Sequence, residues 1–339
     1  MSKKKYNKIF ITGGAGYCGS RLIPELLKEE YKVVVYDTFY FGNFLPKKSK
    51  NLKIVKGDIR DSDKIYKNSK GCDVFLNLAC ISNDASFELD ERLSESINMD
   101  AFEPMVLAAK KSGIKRFIYA SSSSVYGVSK KKNVTEDHPL VPLTLYNKYK
   151  GLCEPILFRH SSKSFETVIF RPATVCGYSP RQRLDLSVNI LTNHAINNNI
   201  IRVFGGNQLR PNLHIKDYCR VVKLLLKAPS KKISNQIFNV GNENASILQL
   251  AKIVKNVVKK EFKLKNDIKI ILEKSDDKRS YHINSNKIYK ALGFKPKYTV
   301  KDAVIEICNA FKKNKFSDSL NNIQYYNVKK LKKLFSKKK

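Results

Sequence analysis

Short apolar runs alternate with amphipathic stretches through the first half of the chain. The runs Lys8–Thr12, Lys32–Asp37, Leu52–Lys56, Asp73–Ala79, Arg116–Ser121 and Glu166–Arg171 are nearly continuous in their apolar residues. That pattern predicts parallel strands covered on both faces, not strands with one wet face. Helical stretches lie between them, at Ser20–Glu30, Ile97–Ser112 and Leu145–Arg159. Repeated βα alternation predicts an α/β fold with a doubly wound parallel sheet. Beyond Arg171 the pattern loosens into a polar loop (Gly177–Asp185), a helix (Leu186–Asn197) and a short strand near Arg202–Gly205. Asn212–Leu226 and Ile237–Val240 read as further pieces of the main sheet domain. A strand near Ile268–Leu272 and a helix at Val300–Lys313 follow.

At 339 residues the chain is long enough for two lobes and a sizeable core. Lys and Arg number 64 against 30 acidic residues, a formal charge of +34, but only 12 of the 64 are Arg. Lys is a solvated point charge, whereas Arg is the residue of bidentate phosphate and base recognition, so the excess reads as solvated faces and no specific nucleic-acid partner is expected. Lys329–Lys339 holds seven Lys around Leu331, Leu334 and Phe335. Its apolar face is too small for stable membrane binding, and a solvated basic tail is expected there. The cysteine count, seven, is odd and no pair is spaced C-x-x-C. No disulfide framework or metal site is expected, and a cytoplasmic location fits. No apolar run is long enough for a membrane span, and the basic N-terminus lacks a signal-peptide pattern.

Chemistry enters with Thr12-Gly13-Gly14-Ala15-Gly16-Tyr17-Cys18-Gly19, where the first strand meets the first helix. Gly13, Gly16 and Gly19 permit a tight turn and close approach of backbone to a pyrophosphate, Tyr17 and Cys18 are expected with them against the cofactor, and the helix that follows at Ser20 supplies N–H groups. The second strand ends in Asp37, 18 residues past Gly19. A carboxylate there binds ribose hydroxyls and repels a 2′-phosphate, which predicts NAD over NADP. Further on, Tyr146 and Lys150 are spaced i and i+4 and share a helix face. An ammonium beside a phenol lowers the phenol's pKa and suits it to proton transfer during hydride transfer.

The glycine turn, Gly57-Asp58-Ile59-Arg60-Asp61, Asn77-Leu78-Ala79-Cys80, Ala120–Gly127 with its serine run, and Tyr146…Lys150 occur in that order. They continue through Arg171-Pro172, Arg210-Pro211, His214–Asp217, Asn239–Asn242 and Arg279-Ser280-Tyr281. As a set they resemble the extended short-chain dehydrogenase/reductases, the NAD-dependent nucleotide-sugar epimerase/dehydratase family, over roughly residues 8–312. The resemblance implies a Rossmann domain (1–172 plus 212–241), a smaller α/β lobe for a nucleotide-diphospho sugar (173–211 plus 242–316), and a basic tail (317–339). It implies Ser122, Tyr146 and Lys150 as the catalytic set. It places Asp58, Ile59 and Ala79 with the glycine turn, Asp37 and Lys150 against NAD. Ser122, Thr174, Arg210 and Arg279 fall to the substrate, and a homodimer is expected. By the same comparison Glu154, His214 and Asp217 read as fold-stabilising.

Departures narrow the chemistry. Ser123 and Ser124 stand where dehydratases of the family carry Asp-Glu, so 4,6-dehydration is disfavoured. Ser124 and Ser179 replace the Cys and His of 3,5-epimerases. Thr174 and Cys176 replace the Asn and Tyr of the N-x-Y-G segment. A nucleotide-sugar 4-epimerase is the first expectation. A C4 dehydrogenase that releases the 4-keto sugar is the second. From another class, the rival is a non-catalytic NAD- or RNA-binding Rossmann protein.

Overall fold

The computed structural model describes residues 5–47, 49–129, 131, 133–275 and 280–336. The strands are β1 (Lys8–Thr12), β2 (Lys32–Asp37), β3 (Leu52–Lys56), β4 (Val74–Asn77), β5 (Arg116–Ala120), β6 (Glu166–Pro172), β7 (Thr174–Cys176), β8 (Ile200–Phe204), β9 (Leu209–His214), β10 (Gln236–Val240), β11 (Glu243–Ser246) and β12 (Lys269–Glu273). Seven of them form one sheet in the order β10-β6-β5-β4-β1-β2-β3, with every neighbouring pair parallel. The order reverses between β1 and β4, which opens a crevice at their carboxyl ends.

The continuous apolar runs follow from burial on both faces. Ile9, Ile11, Val33 and Val35 pack on one side with helices Tyr17–Lys28 and Ile215–Lys227. Phe10, Val34, Phe75 and Phe117 pack on the other with Phe102–Lys111 and Leu145–Arg159. β3 departs from the pattern. It is the sheet edge, Ile54 is exposed, and Lys53 and Lys56 guard the unpaired side. The helix expected at Ile97–Ser112 is broken: Glu91–Glu95 leads into a π-turn at Ser96–Asp100 before Phe102–Lys111 begins. Asn98 there bonds both backbone groups of Ile81, through Oδ1 at 2.8 Å and Nδ2 at 2.9 Å, and so fixes the loop after β4.

The second lobe has its own core between helices Ser187–Asn198, Ile247–Glu261 and Val300–Lys312. Two small sheets accompany it, β11-β9-β7 and β12-β8. The chain crosses between lobes more often than the sequence division allowed. Asn212–His214, expected in the large domain, is part of β9 in a small sheet. Tyr281, Ile283, Ile288 and Phe294, expected in the small lobe, pack into the core of the large one.

The expected solvated tail is also corrected. Asn327–Phe335 is a helix whose Leu331 is 1% exposed and packs, with Leu334 and Phe335, into the core on one face of the large sheet. Three apolar residues on one helical face found a partner surface within the protein. Lys337–Lys339 lie outside the described residues. Among the described residues no helix is long and apolar enough to cross a membrane.

Candidate active site

The glycine turn sits in the crevice between β1 and β4. Gly13 has φ +70°, and a Cβ there would lie 2.6 Å from the Ala79 backbone. A Cβ on Gly19 would lie 2.3 Å from the Gly14 carbonyl oxygen. Gly13 and Gly19 are thus fixed by backbone approach, while Gly14 faces the side chains of Val35 and Ile23. The helix starts at Tyr17, three residues earlier than expected, with no side-chain cap from Gly16. Its first-turn N–H groups lack intrahelical partners and favour an anion. Burial pushes the Cys18 thiol up to about 12, so Cys18 contributes backbone and shape, not a thiolate.

Asp37 ends β2 and accepts hydrogen bonds from Ala15 N at 2.9 Å and Phe39 N at 2.8 Å. Burial raises its carboxyl above the usual range, against the pull of those backbone donors and of Arg181. Asp58 is held by Arg60 at 2.6 Å, and its carbonyl accepts from Tyr36 Oη at 2.8 Å. A single cleft of about 610 Å³ is lined by Gly13, Gly16, Tyr17, Cys18, Gly19, Asp37, Asp58, Ile59 and Ala79 at one end. It continues past Ser122, Tyr146 and Lys150 to Thr174 and Arg210.

Ser122 follows β5 and caps a 3₁₀ turn, Ser123–Tyr126. Its Oγ accepts from Ser124 N at 3.1 Å and lies 2.7 Å from Ser124 Oγ. Thr144 caps the helix Leu145–Arg159 and places Tyr146 and Lys150 on the face toward the cleft. Lys150 is 5% exposed and donates to the Ala120 carbonyl at 2.8 Å. Burial pushes the Tyr146 phenol well above its ordinary pKa; Cys80 and Asp84 add to this and Arg183 opposes it. The lowered phenol pKa expected beside Lys150 is therefore not what this structure has: desolvation outweighs the pull of Arg183. Tyr149 points elsewhere and donates to Glu95 at 2.6 Å.

Beneath the site, Glu154 joins Ser121 and Arg171. Ser121 Oγ donates to Glu154 at 2.6 Å, and the buried Arg171–Glu154 pair is 2.5 Å apart. Arg171 also donates to Tyr126 Oη at 2.6 Å, which donates to Asn239 at 2.8 Å. This brace holds the ends of β5, β6 and β10. His214 and Asp217 lie away from the cleft lining and serve β9 and the following helix. His214 accepts from Lys216 N at 3.0 Å, and Asp217 accepts from Lys297 N and Tyr298 N at 2.9 Å. Ser179 is buried against the helix start, donating to Tyr17 O at 2.7 Å, and is thereby structural.

Sequence reasoning missed several lining residues. Arg181 and Arg183 come from the loop after β7, Arg202 and Phe204 from β8, and Tyr281 from the segment between β12 and the helix Asn286–Leu292. The available signal was the concentration of two of only twelve arginines in one short loop. Arg279 lies outside the described residues.

The family model described as NAD dependent epimerase/dehydratase family matches residues 9–241. The chain belongs to this family. Among its relatives, a UDP-glucose 4-epimerase of Lactobacillus helveticus is 27% identical, covering 88% of this chain and 94% of its own. A mouse dTDP-D-glucose 4,6-dehydratase is also 27% identical, covering 91% and 89%. The solved structure of MoeE5 in complex with UDP-glucose and NAD matches with TM-score 0.78 at 22% identity, over 91% of this chain and 99% of that one. As a member of the epimerase/dehydratase family the protein is an NAD-dependent enzyme. Its own residues fit NAD: a turn too tight for any Cβ at Gly13, free N–H groups at a helix start, and a carboxylate at the end of β2.

Proposed function

We propose that the protein is a nucleotide-sugar 4-epimerase, and that it serves surface-polysaccharide sugar biosynthesis because its loop Gly177–Asp185 resembles that of a bacterial subgroup linked to such sugars. The observation that carries the choice within the family is at Ser123 and Ser124. Both line the cleft beside Ser122, and neither can act as a carboxylate acid or base for 4,6-dehydration. Relatives of both kinds occur, so family membership leaves this choice to the site.

The glycine turn, Asp37 and Lys150 would hold NAD, which would supply hydride-transfer chemistry at C4 of the sugar. Tyr146 takes the C4-hydroxyl proton and later gives it back. Ser122 bonds the same sugar oxygen and orients it. Lys150, fixed by Ala120, has two further N–H donors for the nicotinamide ribose. Thr174 and Arg210 face the nucleotide diphosphate from the second lobe. If the 4-keto sugar turns over before the hydride returns, the 4-epimer results. The second reading, a C4 dehydrogenase, shares these residues but releases the ketone. The non-catalytic rival is disfavoured by the intact Ser122, Tyr146 and Lys150.

A homodimer accompanies this reading. Leu107 and Leu152, on the two helices that cover one face of the sheet, are 47% and 41% exposed. Light scattering on the purified chain tests it. Cytoplasmic action fits seven cysteines, all unbridged. The function itself is tested by incubating the enzyme with a panel of nucleotide sugars and following the C4 configuration by NMR. Appearance of a 4-epimer without added cofactor supports the reading, and net accumulation of NADH with a 4-keto product replaces it by the dehydrogenase.

A further inference from the structure

Arg181 is 2% exposed, and its Nε has no hydrogen-bond partner. Nη2 donates to Asn327 Oδ1 at 2.5 Å, and the guanidinium lies 4.0 Å from the centre of the Phe41 ring. Among the described residues no carboxylate stands within ion-pair distance of it. Its neighbour Arg183 is different: it pairs with both oxygens of Asp185, at 2.9 and 3.1 Å, and donates to Ser82. Asp185 is thus taken up by Arg183, while Arg181 feels Asp185 and Asp37 only from beyond pairing distance. Burial together with the like charge of Arg183 depresses the Arg181 pKa to about 9. A buried guanidinium with no anion in direct contact and an unpartnered Nε is costly, so a place for an anion is implied.

The loop that carries Arg181 is fastened to the helix behind the glycine turn. Arg181 N donates to Ser20 Oγ at 3.1 Å, and Tyr17 Oη donates to Gly177 O at 2.7 Å. Arg181 lines the same cleft as Gly13, Gly16, Tyr17 and Asp37, and Asp37 and Tyr17 lie near enough to act on its charge. The C-terminal segment sets it there. Asn327 also donates through Nδ2 to Ser82 Oγ at 3.1 Å and through its backbone N–H to Asp185 at 2.8 Å. Tyr325 O accepts from Leu184 N at 3.0 Å, and Gln324 donates to the Phe41 carbonyl. The segment 324–327 that makes these contacts lies beyond residue 241, where the family match ends.

We propose that Arg181 binds the cofactor's diphosphate opposite the glycine turn, and that Asn327 is the positioning residue that aims it. The arginine fork and the helix N-terminus enclose the diphosphate from two sides, so the C-terminal segment acts as a strap that slows cofactor loss. The inference rests on the cofactor assignment and is independent of which sugar reaction follows.

The test titrates the full-length protein with NADH by fluorescence, and with ADP and adenosine by displacement. Arg181→Met should weaken NADH and ADP about 10- to 100-fold and leave adenosine within about twofold, because only the first two carry a diphosphate. Its NADH affinity should also depend less on salt. Asn327→Ala should show the same pattern, weaker, with faster NADH release in a chase. Arg181→Lys keeps the charge without the fork and should fall between. NADH and ADP affinities equal to wild type in Arg181→Met overturn the proposal. So does a loss of adenosine as large as the loss of ADP, which marks a merely structural arginine. If Arg181→Met does not fold, Arg181→Lys decides, and undiminished ADP binding there overturns it. Wild-type protein that binds no NADH at all would instead remove the cofactor assignment.

Discussion

Lys150 lies one helical turn beyond Tyr146, yet its ammonium is anchored to the Ala120 carbonyl at 2.8 Å, on the strand that leads into Ser122. One cation thereby ties the acid/base helix to the strand end carrying the serine. Burial pushes the Tyr146 phenol well above its ordinary pKa.

Tyr146→Phe keeps the ring and removes the ionisable oxygen, so turnover should fall ~10²–10⁴-fold with NAD still bound. Tyr149→Phe should keep activity, since its hydroxyl is bonded to Glu95 outside the cleft. Steady-state kinetics on both variants checks the register of the site. Lys150→Met should lower NADH affinity as well as rate, and move the basic limb of the activity–pH profile upward as the phenol loses a nearby cation.

Asp37→Asn should relax the preference for NAD over NADP. Burial raises the Asp37 carboxyl, so acidification neutralises it sooner than an ordinary Asp. The wild-type ratio of NADP to NAD dissociation constants should therefore narrow as pH falls from about 7 toward about 5. Binding titrations at both pH values should show a smaller pH effect in Asp37→Asn, where only the 2′-phosphate still titrates. An identical pH effect in the variant would show that Asp37 does not set the preference.

With no carboxylate at positions 123 and 124, the C5 hydrogen of the sugar has no base assigned to it. Turnover in D₂O should leave C5 unlabelled by mass spectrometry and NMR. Deuterium at C5 at the rate of turnover would place a dehydratase or 5-epimerase step in this cleft.

Glu154→Gln should destabilise the fold by about 3–5 kcal/mol, because it strands a buried Arg171. Denaturant unfolding measures this. A change under about 1 kcal/mol would mean that Tyr126 and the Glu136 carbonyl, its other partners, suffice to satisfy the guanidinium.

The amino-acid sequence by itself determined the parallel sheet, because strands buried on both faces need continuous apolar runs. It also determined the cofactor end of the site, since a turn that admits no Cβ must be glycine, and its spacing to Asp37 is local to one βαβ unit. Tyr146 and Lys150 were legible for the same reason: helical periodicity alone puts them on one face. The tertiary structure decided what depends on distant segments meeting. The phenol's pKa rose because the residues that meet around Tyr146 in the cleft desolvate it, and no local pattern reports desolvation. Arg181 and Arg183 became cleft residues only because the loop after β7 folds over the helix start. The lysine-rich tail read as solvated from composition, since Lys dominates it. Leu331, Leu334 and Phe335 make a core face only when the large sheet's helices offer a surface to receive them, and that docking delivers Asn327 to Arg181.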